Sequence, residues 1–209
     1  MNLQEISTNL QAGKAKIVKE LVQQAIDEGR GAKDILEQGL LDGMNIIGEK
    51  FKNNEVFVPE VLIAARAMTQ GMEVLKPKLQ SEGVKATGKA IICTVKGDLH
   101  DIGKNLVRMM LEGKGLEVVD LGVDIGPDQI VEAVKEHKPN VVCLSALLTT
   151  TMNEQGNIVE AIKAAGLRDT VKVMVGGAPV TQTFADKIGA DAYTPDAASA
   201  ADVAAAFCK

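Results

Sequence analysis

From residue 89 onward the chain alternates short apolar runs with amphipathic stretches of helical length, and this rhythm restricts the fold more than any other property. The apolar runs fall at 89–95, 117–121, 140–146, 171–175 and 191–194. The stretches 104–113, 127–137, 153–165, 181–188 and 197–207 carry the helical pattern. Strands separated by single helices leave room for right-handed crossovers and not for hairpins. The expectation is a five-stranded, parallel, doubly wound sheet with helices on both faces.

The first part of the chain reads differently. From Lys14 to about Ser81 apolar residues recur at spacings of three and four: Ile17, Leu21 and Ile26, then Ile35, Leu36, Leu40, Met44 and Ile47, then Val61, Leu62, Ala65, Met68, Met72 and Leu75. That period predicts a bundle of about four helices, each with one apolar stripe to bury. Pro59, after the extended residues 56–58, is expected to open a helix, and Pro77 to end one. The polar stretch 81–88 has two glycines and no period, so it reads as a linker. The expected domains are 1–85, a helical bundle, and 86–209, the sheet.

Composition narrows the function classes. The formal charge is −5 and no Lys/Arg cluster stands out, which disfavours nucleic acid and anionic membranes as partners. No apolar run reaches the roughly 18 residues of a membrane span, and the start lacks the pattern of a signal peptide, so a cytoplasmic location is expected. The three cysteines have no metal-ligand spacing and read as reduced side chains without chemistry.

The run Gly97-Asp98-Leu99-His100-Asp101-Ile102-Gly103-Lys104-Asn105 follows the first strand and contains one of two histidines in the chain. Ligands of α/β sheets sit at the carboxyl ends of strands. A carboxylate two residues before an imidazole can hold one ring nitrogen and leave the other for a metal. The alternative is a surface loop in which His100 caps a helix or satisfies a turn. Three more segments end strands on the same rim. Leu144 to Thr151 is rich in hydroxyls, which either cap the helix near Met152 or line a polar groove. Val175-Gly176-Gly177-Ala178-Pro179 permits close backbone approach. Asp191 to Ala197 holds Tyr193, the only tyrosine.

Taken together, Asp-x-His-x-x-Gly, Ser-x-Leu at 145–147, Gly176-Gly177 and the 191–197 loop resemble the cobalamin-binding modules of methionine synthase and of the corrinoid proteins of anaerobic methyltransferases. The segments 41–51 and 57–68 are similar to the helical cap of the same proteins. The resemblance implies a flavodoxin-like (Rossmann-like) second domain that binds cobalamin or a related corrinoid, including its methylcobalamin form. His100 would replace the lower base on cobalt, and Gly97, Asp98, Leu99, Asp101, Ile102 and Gly103 would form its loop. Ser145, Leu147, Thr149, Gly176, Gly177, Tyr193 and Ala197 would line the path of the displaced nucleotide tail. Phe51 and Val58 would cover the methyl-bearing face, with Glu37 near the corrin; bundle core is the other reading of Phe51 and Phe57. Val58 stands where methionine synthase has a larger Leu, and Thr151 stands where it has the serine that completes a proton relay with Asp98 and His100.

The implied function is that of a methyl carrier, a non-autonomous corrinoid subunit cycling between Co(I) and methyl-Co(III). It would take a methyl group from a methylamine, quaternary amine, methanol or aryl methyl ether through a substrate-specific methyltransferase. It would deliver it to an acceptor methyltransferase that uses tetrahydrofolate or a thiol, with a reductive activator restoring the cobalt. The alternatives are a cobalamin-dependent sensor, a cobalamin subunit of a mutase, or a flavodoxin-like module without cobalt.

Overall fold

The strands are short and apolar where both sheet faces are covered. In the computed structural model, which describes residues 2–209, β1 (Gly88–Thr94), β3 (Val141–Ser145) and β4 (Lys172–Gly176) are buried along most of their length, while β2 (Leu116–Asp120) and β5 (Ala192–Tyr193) form the edges. All pairs are parallel and the order is β2-β1-β3-β4-β5. Strand order reverses between β1 and β3, which is the crevice where doubly wound sheets hold their ligands. The register aligns the carboxyl ends: Thr94 lies opposite Ser145, and Ser145 opposite Gly176.

On one face α7 (Pro127–His137) and α8 (Asn153–Ala164) bury Ile130, Val134, Ile158 and Ile162 against Ile91, Cys93, Val142, Leu144, Val173 and Val175. The other face carries α6 (Ile102–Glu112) and α10 (Ala197–Phe207), whose buried Ala198, Ala201 and Ala204 let the two helices approach closely. The helix α9 (Gln182–Ile188) completes the set before β5. The expected helix 127–137 and helix 197–207 are found with those bounds, and α6 begins two residues earlier than expected, directly after the histidine loop.

By proximity the chain divides into two compact units, one made of the residues up to Ala86 with the short turn Gly113–Gly115 and one that contains the whole sheet. In the first unit the helices are α1 (Gln4–Gln11), α2 (Ala15–Asp27), a continuous rod made of α3 (Ala32–Asp34), a π-helical stretch (Ile35–Leu41) and α4 (Asp42–Lys52), and α5 (Val58–Ser81). Helical structure therefore reaches back to Gln4, ahead of the expected start at Lys14, because Ile6 and Leu10 have core positions to fill. In α2 the buried stripe is Val18, Val22 and Ala25, one residue over from the expected Ile17, Leu21 and Ile26, and Ile17 remains exposed. Leu62 of α5 is likewise exposed, unlike Val61 beside it.

Pro59 sits in the first turn of α5 as expected, with the Glu60 carboxylate accepting the Phe57 N–H at 3.0 Å. Pro77 does not end that helix. Leu75 and Leu79 are buried on either side of it, and their packing outweighs the one backbone hydrogen bond that proline removes. Among the described residues no helix is long and apolar enough to cross a membrane.

Candidate functional site

The loop between β1 and α6 turns sharply at Gly97, whose φ of 80° falls in the left-handed region that glycine adopts freely. This turn sends the Asp98 side chain inward, where it is wholly buried, and leaves the His100 side chain 52% exposed. The Asp98 carboxylate satisfies two loops at once. Its Oδ1 lies 2.7 Å from His100 Nδ1 and accepts the His100 backbone N–H at 3.1 Å. Its Oδ2 accepts the Thr151 hydroxyl at 2.8 Å, the Leu147 N–H at 2.8 Å and, more weakly, the Leu148 N–H at 3.4 Å.

Burial alone would raise the Asp98 pKa, but the hydrogen bonds from the His100 ring and backbone, Leu147 and Thr151 outweigh it and hold the carboxyl well below the usual carboxylate range. An ionised carboxylate can only accept, so the proton between it and the imidazole belongs to Nδ1. In the neutral tautomer this leaves the lone pair on Nε2, which has no hydrogen-bond partner among the described residues. A neutral imidazole fixed at Nδ1 and open at Nε2 is a metal ligand in waiting. Among the described residues there is no cluster of three or more His, Cys, Asp or Glu side chains that could hold a metal ion by themselves. Any metal here must bring most of its own ligands.

Structure thus brings together Thr151, Asp98 and His100 at the reversal of strand order, and corrects the capping reading of the hydroxyl-rich run. Met152, at the N-cap of α8, makes no side-chain cap, and the Thr151 hydroxyl turns toward Asp98. The surroundings fit a flat, apolar macrocycle with a pendant tail. Leu99 and Ile102 are 71% and 81% exposed, and Leu147 and Leu148 are also exposed on the same rim. A Cβ placed on Gly176 would meet nothing within 4 Å, so the end of β4 borders open space. Gln155, wholly buried beneath, donates to the carbonyls of Leu144 and Gly176 at 3.0 Å each and leaves Oε1 buried without a partner.

The remaining residues named from sequence spread along the rim. Ser145 and Gly176 lie side by side at the strand ends, Thr149 is exposed, and Gly177 approaches Ala146 so closely that a Cβ there would collide with the Ala146 carbonyl. Asp101 accepts the Asn105 side-chain N–H at 3.0 Å, and Gly103 lies in the exposed first turn of α6. Tyr193 packs partly buried against the core beside β4, and Ala197 is buried at the start of α10 below the Asp196 cap. In the first unit Glu37 lies on the π-helical stretch and pairs with Lys33 at 3.8 Å, Phe51 is half-buried in α4, and Phe57 and Val58 are exposed. Phe57 is therefore not bundle core.

Three residues at or beside the site were not singled out from sequence. Gln155 gave no signal beyond helical periodicity. Lys104 and Asp120 form a 2.5 Å ion pair in which the lysine is 3% exposed, a pairing of one helix with a neighbouring strand that no sequence spacing discloses.

The B12 binding domain family matches residues 88–204, and a second B12 binding domain family matches residues 3–76. The chain belongs to the B12-binding corrinoid proteins. A trimethylamine corrinoid protein of Methanosarcina barkeri is 48% identical over 180 residues, which cover 85% of this corrinoid protein and 83% of that one. Dimethylamine corrinoid protein 1 of Methanosarcina acetivorans is 43% identical over 205 residues, 96% of each chain. Among solved structures, a cobalamin-binding protein from Desulfitobacterium hafniense has a TM-score of 0.82 at 33% identity, covering 99% of this chain and 98% of that chain. A chain of the methanol:cobalamin methyltransferase complex from Methanosarcina barkeri has a TM-score of 0.86 at 31% identity, covering 97% and 78%. The expectations of a helical region followed by a five-stranded parallel sheet, and of corrinoid binding, are borne out.

Proposed function

We propose that this corrinoid protein is a methyl carrier that serves a substrate-specific methyltransferase and an acceptor methyltransferase in turn. The observation that carries the reading is the Thr151–Asp98–His100 chain, which presents one open imidazole nitrogen on an apolar rim. When bound, the corrinoid supplies a cobalt centre able to take up and give away a methyl group. The protein contributes ligation and proton management. His100 Nε2 is the atom that would hold the cobalt. Asp98 keeps the ring in the ligating tautomer, and Thr151 supports the carboxylate from its far oxygen. An Nε2 free of metal would be open to a proton, and Asp98, backed by Thr151, would hold the ring through Nδ1 in either case.

Ser145, Thr149, Gly176 and Gly177 are the proposed path of the nucleotide tail, with Leu147, Tyr193 and Ala197 beside it. Phe51, Val58 and Glu37 are the first unit's proposed contacts to the upper face. The similarity to trimethylamine and dimethylamine corrinoid proteins favours a methylated amine as donor. The solved methanol:cobalamin methyltransferase complex supports a methyltransferase as docking partner. A tetrahydrofolate or thiol methyltransferase as acceptor, a reductive activator and a cytoplasmic setting complete the proposal.

Substitution His100→Gly tests it. The variant is expected to bind hydroxocobalamin without the nitrogen-ligated spectrum and to regain that spectrum with added imidazole. Its methylation by a methylamine methyltransferase should slow. Unchanged spectra and rates would defeat the axial role.

A further inference from the structure

We infer that Asp124, in the loop between β2 and α7, is a positioning residue that sets the direction of the histidine loop; the inference rests on His100 being the axial ligand. Three described non-glycine residues have left-handed backbone: Asn54, Asp124 and Lys138. Asn54 follows the end of α4 and Lys138 caps α7, places where the chain commonly turns left-handed. Asp124, with φ of 58°, terminates no helix. Aspartate tolerates this region better than most side chains, and glycine better still, so the turn alone does not require a carboxylate.

The carboxylate is used. Its Oδ1 accepts the Gly97 N–H at 2.7 Å, while the Asp124 backbone N–H donates to the Asp98 carbonyl at 3.1 Å. One residue thereby grips the histidine loop on both sides of the peptide that joins Gly97 to Asp98. The end of β2 and the loop that follows it hold the histidine loop at its two ends. Upstream, Thr94 N–H donates to the Gly122 carbonyl at 2.9 Å and Ile125 N–H to the Thr94 carbonyl at 3.1 Å, and the Thr94 hydroxyl reaches the His100 carbonyl at 2.8 Å. Downstream, Lys104 in the first turn of α6 is buried against Asp120, which also accepts the Gly122 N–H at 2.9 Å. The Thr94 and Lys104 ties bury backbone or charge and belong to the fold itself. The Asp124 tie is exposed and local, and it acts at the point where Asp98 is aimed. Since Asp98 orients the ring, loosening Gly97 and Asp98 loosens the approach of Nε2 to the cobalt.

The test loads wild type, Asp124→Asn, Asp124→Gly, Asp124→Ser and His100→Gly with hydroxocobalamin and reduces each to Co(II). With each protein labelled with 15N-histidine, the 15N splitting in the electron paramagnetic resonance spectrum reports the fraction ligated by histidine, distinct from the 14N splitting of the cofactor's own benzimidazole. Asn keeps a carbonyl acceptor and the left-handed turn, so Asp124→Asn is expected to match wild type. Asp124→Gly keeps the turn and loses the acceptor. It is expected to keep its melting temperature and to shift the ligated-to-free ratio about threefold to tenfold toward free histidine, the size of one lost charge-assisted hydrogen bond at an exposed site. Asp124→Ser, too short to reach Gly97, is expected to shift it the same way and guards against a folding defect in the glycine variant. Wild-type splitting in both the Gly and Ser variants, with splitting lost in His100→Gly, overturns the positioning role and leaves the ligand role intact. Wild-type splitting in His100→Gly overturns the ligand role itself and the inference with it.

Discussion

Asp98 divides its work between its oxygens, and that division makes specific demands on any replacement. An asparagine has one acceptor and one donor in the same shape. If its oxygen serves Leu147 and Thr151, its NH2 faces His100 Nδ1, which must then accept, and the ring proton moves to Nε2 where it blocks a metal. Asp98→Asn is therefore expected to bind corrinoid with little nitrogen ligation despite keeping the fold, read from the same Co(II) spectrum. The substitution also has a signature in acid. The folded pKa of Asp98 is depressed, so its contribution to stability is complete above the unfolded value of about 3.9 and is lost as pH falls below that toward the folded value. The urea midpoint of the ligand-free protein should drop through this window, and the drop should be smaller in Asp98→Asn. Asp98 and His100 were legible in the sequence because chemistry concentrated in one loop is visible as a motif, whereas Thr151, 53 residues away, was named only through the resemblance to methionine synthase. The sequence was silent on Asp124 and Gln155, whose partners lie 27 and 21 residues away across strand ends.

At the scale of elements, the loops that follow β3 and β4 are held by backbone proximity. Ala146 N–H donates to the Gly176 carbonyl at 3.1 Å, and Gly177 (φ 126°) lies against the Ala146 carbonyl. Gly177→Ala is expected to destabilise the protein by more than about 1 kcal/mol in urea unfolding, since both the backbone angle and the collision oppose a side chain. Elements with strong periods were readable: 127–137 and 197–207 are helices as their patterns predict. The failures have physical causes. Pro77 is overridden by burial on both sides, the α2 stripe is one residue over because amphipathic patterns there admit two neighbouring faces, and α1 is too short to show a period before it is packed. The π-helical stretch at 35–41 has no sequence sign at all, since a widened turn reflects how the rod packs rather than what its residues prefer.

For the molecule as a whole, the segment between α5 and β1 is the natural place to separate bundle and sheet. Lys85 is exposed there, between a helix end at Ser81 and a strand start at Gly88. Limited trypsin treatment is expected to cut after Lys85 first and to leave a fragment from Ala86 onward that still shows nitrogen-ligated corrinoid, because every atom of the Thr151–Asp98–His100 chain lies within it. Loss of that spectrum on cleavage would mean that the bundle is needed for ligation.

The exposed leucine and isoleucine side chains beside His100 have a bearing on the life of the chain before it acts. An oily shelf of this kind is a sticking point, and a protein carrying it bare is open to self-association. The cofactor would serve as the missing piece of surface as well as the reagent. Because binding to the folded form alone draws the equilibrium toward folding, the supply of corrinoid would then govern solubility and turnover of the protein, and scarcity would be felt first as loss of the carrier.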